Sequence, residues 1–133
     1  MTTSYHTAYA LAEALLSGAR EDGGATIDPA TGRAPAGGYM VGAAGRGTVL
    51  HNLDSVAIAA AWVSRTLSRL APGECLGSWV DGGLVYLDVS ANLANLADAL
   101  DLAQRTGELA IWDVAAAREI RTTLAAYRAT GGP

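Results

Sequence analysis

His51 is the residue best suited by type to proton transfer, and Asp54, Asp81 and Asp88 are the carboxylates that could orient it. A general base needs such a partner within hydrogen-bond reach. A nucleophile beside it would have to be Ser78, Ser90 or Cys75. Nothing in the linear spacing demands that these groups meet. The chain has two histidines and one cysteine, with no H-x-x-x-H or C-x-x-C pair, so no metal site is expected. No cofactor motif is present either.

Gly42-Ala-Ala-Gly45-Arg-Gly47 is the other chemically suggestive stretch. A glycine-rich loop feeding a helix N-terminus can cradle a phosphate. The spacing fits neither G-x-G-x-x-G nor G-x-x-x-x-G-K-[ST], and the chain has no lysine. Residues 48–52 also separate the glycines from the next helix. The stretch reads as a connector.

The residues most apt to form a binding site are Tyr39, His51, Asn52, Trp79 and Asp88. His51 and Asn52 fall at a loop-to-helix junction, where polar side chains and free amides converge. Trp79 flanks an Asp-Gly-Gly turn, and Asp88 ends an apolar strand. Taken singly, each has a plain structural role: Asn52 as a helix cap, Trp79 as sheet packing, Asp88 as a solvated strand end.

The elements that must position these groups centre on residues 75–113. Cys75-Leu-Gly-Ser-Trp-Val80 and Leu84-Val-Tyr-Leu-Asp-Val89 flank Asp81-Gly82-Gly83. Asp-Gly between two apolar runs predicts a tight hairpin, because glycine supplies positive φ without steric cost. Val85, Leu87 and Val89 should share one face, with Leu84, Tyr86 and Asp88 on the other. A helix over 95–106 follows. Asn95 is its N-cap, Leu96, Ala99, Leu100 and Ala103 are its apolar face, and Gly107 is its left-handed stop. Residues 109–112 read as a strand, and the connection is long enough for a crossover between parallel strands.

Earlier in the chain the periodicity predicts a helix over 4–20, capped by Thr2, Thr3 or Ser4. Short strands are expected over 25–27 and 38–41, on either side of an Asp28-Pro29 turn that closes at Gly32. A second helix is expected over 53–70, with Asn52 as its cap, an apolar stripe from Leu53 to Leu70 widened by Ile58 and Trp62, and Arg65 and Arg69 on its polar side. Residues 114–129 admit two readings. One is an Ala-rich helix; the other is a short reversal with a strand at Glu119-Ile-Arg121 and a loose tail. Residues 131–133 should be disordered. Together these predict an α+β fold: a single domain over 1–130, with a mixed β-sheet built on a central hairpin and a βαβ-like C-terminal unit, packed by helices.

Nine basic residues against thirteen acidic ones give a net charge of −4. That balance argues against direct nucleic-acid binding, which needs clustered cations. No apolar run approaches the roughly 18 residues needed to cross a bilayer, so no membrane association is expected. No basic region precedes an apolar core at the N-terminus, so no signal peptide is expected. A single cysteine excludes an internal disulfide framework and fits a reducing cytoplasm. Cys75 itself reads as a small packed hydrophobe. The oligomeric state stays open, a homodimer among the options.

The segments GYMVG (38–42), VYLDVS (85–90) and GELAIWDVAAAREIRT (107–122) resemble small uncharacterised proteins of actinobacterial phages and mobile elements. The resemblance covers about two thirds of the chain and includes no catalytic motif. It implies an accessory protein and no defined reaction. In such proteins the stretch after IWD tends to carry a glycine-containing turn, whereas this chain has Ala115-Ala-Ala117. The function these features favour is a binding module for a host protein or a small ligand. A small hydrolase or transferase using His51 with a nearby carboxylate is the alternative.

Overall fold

The structure is a computed structural model that describes residues 4–43 and 45–122. Its elements are α1 (Ala8–Asp22), β1 (Gly24–Ile27), β2 (Tyr39–Gly42), β3 (Thr48–Leu50), α2 (Val56–Leu67), β4 (Glu74–Asp81), β5 (Leu84–Leu93), α3 (Leu96–Thr106), β6 (Ala110–Asp113) and β7 (Arg118–Arg121). The fold is α+β. None of the helices among the described residues is long and apolar enough to cross a membrane.

The β4–β5 hairpin is the scaffold. Gly82 and Gly83 both take positive φ, 58° and 80°, as a two-residue hairpin loop of the primed type requires. That loop fixes the register, so Asp81 faces Leu84, Trp79 faces Tyr86 and Gly77 faces Asp88. β5 continues to Leu93, four residues past the expected end. Its far edge therefore serves two partners: β3 pairs with its first half and β2 with its second. β1 lines the outer edge of β4, and β6 and β7 extend the sheet beyond β2.

Every pairing is antiparallel, so the sheet is not mixed. β5 and β6 do run in the same direction, as a crossover through α3 requires. They are not neighbours, however, because β2 lies between them, antiparallel to both. The βαβ-like unit is split by a strand from the N-terminal half.

Local chemistry explains where the helices start. α1 begins at Ala8 rather than residue 4. The amide of His6 donates to the carbonyl of Pro29 at 2.9 Å, which draws the segment before the helix away, and Thr7 caps it by accepting from the Ala10 amide at 3.1 Å. Thr2 and Thr3 lie outside the described residues. α2 begins at Val56, not residue 53. Asn52 does not cap it; its Oδ1 accepts from the Asp54 amide at 2.9 Å and from the Ser55 hydroxyl at 3.0 Å, closing a turn ahead of the helix. Asn95 caps α3 as expected, accepting from the amides of Ala97 and Asp98.

The last described segment is a hairpin. β6 and β7 pair over Ala110–Arg121, which excludes a helix across residues 114–121. Residues 123–129 and the 131–133 tail lie outside the described residues. The reversal has no glycine, and Ala117 takes φ 51° in its place. Asp113 steadies the turn by accepting from the Ala116 amide at 3.2 Å.

Strand alternation places Val85, Leu87 and Val89 on one side of β5. They pack there with Leu11, Leu15, Leu76 and Val63 under α1 and α2. Val41 and Ile111, on the same side further along, pack under Ala99 and Ala103 of α3. Trp62 joins the first cluster, but Ile58 is 61% exposed and does not widen the α2 stripe. All three helices therefore cover one side of the sheet. The other side carries Trp79, Tyr86, Asp88, Val49 and Trp112.

Candidate functional site

Trp79 of β4, Tyr86 of β5 and Val49 of β3 are direct cross-strand partners in one row. They stand on the side without helices. Trp79 and Tyr86 stack with ring centroids 4.3 Å apart and planes 14° from parallel. Such pairs contribute roughly 0.5–1.5 kcal/mol beyond the area they bury. Even so, Trp79 is 43% exposed and Val49 44% exposed. The stack is flat and open to solvent.

Asp88 stands beside this stack, two residues beyond Tyr86 on the same face. Its partner across the hairpin is Gly77. A Cβ at Gly77 would collide with the Asp88 carboxylate, so only glycine leaves the acid room to lie over the sheet. Burial pushes the Asp88 carboxyl above its ordinary value, and the polar edge of the Trp79 side chain acts in the opposite direction.

Two open hollows flank Asp88. One, of about 290 Å³, is walled by the glycine loop at Gly45 and Gly47 and by Val49, Trp79 and Tyr86. The other, of about 360 Å³, is lined by Thr26, Gly42, Ser90 and Glu108. Gly42 lies close to the Glu108 carboxylate, with room for a Cβ only at 3.3 Å from its nearest oxygen. Asp88 and Glu108 thus place two acids on one surface beside an aromatic stack. That arrangement suits a cationic group carried on an apolar stem, which gains both a carboxylate partner and a ring face.

Of the five residues singled out in the sequence, Trp79 and Asp88 come together. Tyr39 does not join them; it packs against the Val41–Ala99–Ala103 cluster on the helix side. His51 and Asn52 are exposed in the bend after β3 and line neither hollow around Asp88. His51 makes no ion pair with a carboxylate among the described residues.

The nucleophile candidates also separate. Ser78 is on the helix side, 5% exposed, and its hydroxyl donates to the Leu15 carbonyl at 2.7 Å. Cys75 is buried, and burial and the nearby charge of Asp28 push its thiol up to about 11. Ser90 borders the hollow shared with Asp88 and Glu108. No cluster of metal-ligating side chains occurs among the described residues.

Tyr86 and Glu108 were missed. Tyr86 was within reach of the sequence: a two-residue Gly82-Gly83 loop sets Trp79 opposite Tyr86 by counting outward from the turn. Glu108 was not, because it reaches the surface through the β6 end of the crossover. No family model, curated protein or solved structure matches the chain.

Proposed function

We propose that this chain is a small accessory protein of the phage or mobile-element type. It works in the cytoplasm as a binding module and contacts a partner protein through the uncovered side of its sheet. The observation that carries this reading is the Trp79–Tyr86 stack, set on paired strands yet 43% exposed at the tryptophan, with Asp88 beside it. Exposed aromatic residues on a rigid element dominate binding energy at protein interfaces. The partner presents an arginine or lysine to Asp88 and Glu108, in keeping with the net charge of −4.

The test is a pull-down from host lysate with the intact chain and its variants, followed by calorimetry on the captured protein. Trp79→Ala and Tyr86→Ala should each weaken binding by about 2 kcal/mol or more, the scale of an interface hot spot. Asp88→Asn should weaken it and flatten its dependence on salt. Ile58→Ala, on the helix side, should leave it unchanged. Capture that survives Trp79→Ala and Tyr86→Ala but is lost with Ile58→Ala would move the interface to α2.

A further inference from the structure

The glycine loop has a second side. Gly45 and Gly47, which wall the aromatic hollow, also line a hollow of about 260 Å³ against α2. Its other walls are Arg46, Arg65, Thr66, Arg69 and the buried ring of Trp62. We propose that this hollow binds the phosphate group of a small phosphorylated ligand.

Charge is the first argument. Three of the chain's nine basic residues converge on one hollow, although the chain as a whole is acidic. Arg46 is held in place there. It pairs with Glu74, and it donates to the main-chain carbonyl of Arg69 at 3.1 Å. Glu74 is itself fixed by the Ala71 amide at 2.7 Å, so one acid offsets one of the three arginines. Arg65 and Arg69 pair with no carboxylate among the described residues. Like charges spaced i, i+4 repel, which costs a helical segment a few tenths of a kcal/mol. A bound dianion turns that repulsion into attraction.

The carbonyl end of α2 favours a cation nearby. Arg46 already meets that need through Arg69, and it does not account for two more. Guanidinium groups present paired N–H donors that match phosphate oxygens, and Arg46 has N–H groups to spare after its two bonds.

Thr66 is the second, independent argument. It is 8% exposed, lines the hollow, and makes no side-chain hydrogen bond among the described residues. Its oxygen is not sealed away without a partner, so it opens onto the hollow. A hydroxyl among arginines completes a phosphate-binding set. The hollow is small, suited to a phosphate head with little else, which favours a monoester or a diphosphate over a polymer backbone.

Inorganic phosphate and pyrophosphate are the probes. They are titrated into the full chain by calorimetry and by thermal shift, with sodium chloride at matched ionic strength as control. The expected result is saturable millimolar or tighter binding, with pyrophosphate ahead of phosphate and no shift from chloride. Arg65→Gln and Arg69→Gln should each weaken it about tenfold or more. Thr66→Val should weaken it less, and Trp79→Ala should leave it intact, which separates this site from the protein-binding face. Arg69 lies past the last residue of α2, so Arg69→Gln keeps the test valid if Arg65→Gln disturbs folding. Three results would overturn the proposal: no saturable binding of pyrophosphate, equal shifts from chloride, or full binding by Arg69→Gln. Tighter binding of a DNA duplex than of pyrophosphate, with a steep salt dependence, would also overturn it in favour of backbone recognition.

Discussion

Trp79 and Asp88 stand diagonally across the β4–β5 hairpin on the side of the sheet without helices. The open aromatic stack thus borders an acid that burial has made costly to ionise. A carboxylate raised above its ordinary value of 3.8 penalises the folded state once it is charged. The penalty is absent below 3.8, develops as pH rises, and is complete above the raised folded value. Asp88→Asn keeps the shape of the side chain and removes the charge. The variant should therefore unfold at higher urea concentration than the parent at neutral pH, and the gap should close as pH falls below 3.8. Equal midpoints at neutral pH would show that Asp88 is fully solvated.

The turn of the last hairpin stores strain at Ala117, where φ is 51°. A left-handed conformation costs a non-glycine residue roughly 1–2 kcal/mol. Glycine removes that cost but loses about 0.5–1 kcal/mol through its freer unfolded chain. The relief is the larger of the two, so Ala117→Gly should stabilise by about 0.5 kcal/mol and raise Tm by roughly 2 °C. A lower Tm would mean that the turn does not hold Ala117 left-handed.

Much of this architecture was legible because it depends on neighbours in sequence. Asp81-Gly82-Gly83 dictated the hairpin and its register, and Asn95 and Gly107 bounded α3. What failed depends on distant partners. No local pattern in Tyr39–Gly42 says that it inserts between β5 and β6, and that insertion makes the sheet wholly antiparallel and turns Tyr39 into the helix-side core. Asn52 carries the same side chain for an N-cap as for the turn it forms, so composition could not separate the two. Arg46 meets Arg65 and Arg69 only because the glycine loop folds against the end of α2.

Gly107 tests the stop of α3. Its φ is 78°, and a Cβ there would meet nothing within 4 Å, so the whole cost of a side chain is conformational. Gly107→Ala should destabilise by roughly 1 kcal/mol without changing the structure. Asn95→Ala, which removes the acceptor for two amides at the other end, should cost about 1 kcal/mol as well. The sites are at opposite ends of the helix and share no partner, so the double variant should lose close to the sum in denaturant melts. A cost near zero at Gly107 would contradict the left-handed cap.

Cys75 tests whether the uncovered side of the sheet is closed where Trp79 is open. Both residues are on that side of β4, yet Cys75 is 3% exposed and its thiol is pushed up from 9.0 to about 11. The thiolate is the reactive form. At pH 8 that shift lowers the ionised fraction about 100-fold, before any loss of access is counted. Ellman's reagent should therefore label the folded chain at least ~100-fold more slowly than the unfolded chain in urea. In intermediate urea the labelling rate should follow the unfolded fraction, because reaction needs the hairpin to open. Cys75→Ala should abolish labelling and cost about 1 kcal/mol, the scale of a small cavity in a packed site. Stoichiometric labelling of the folded chain within the mixing time would place the thiol at the surface and extend the binding face along β4 to its start.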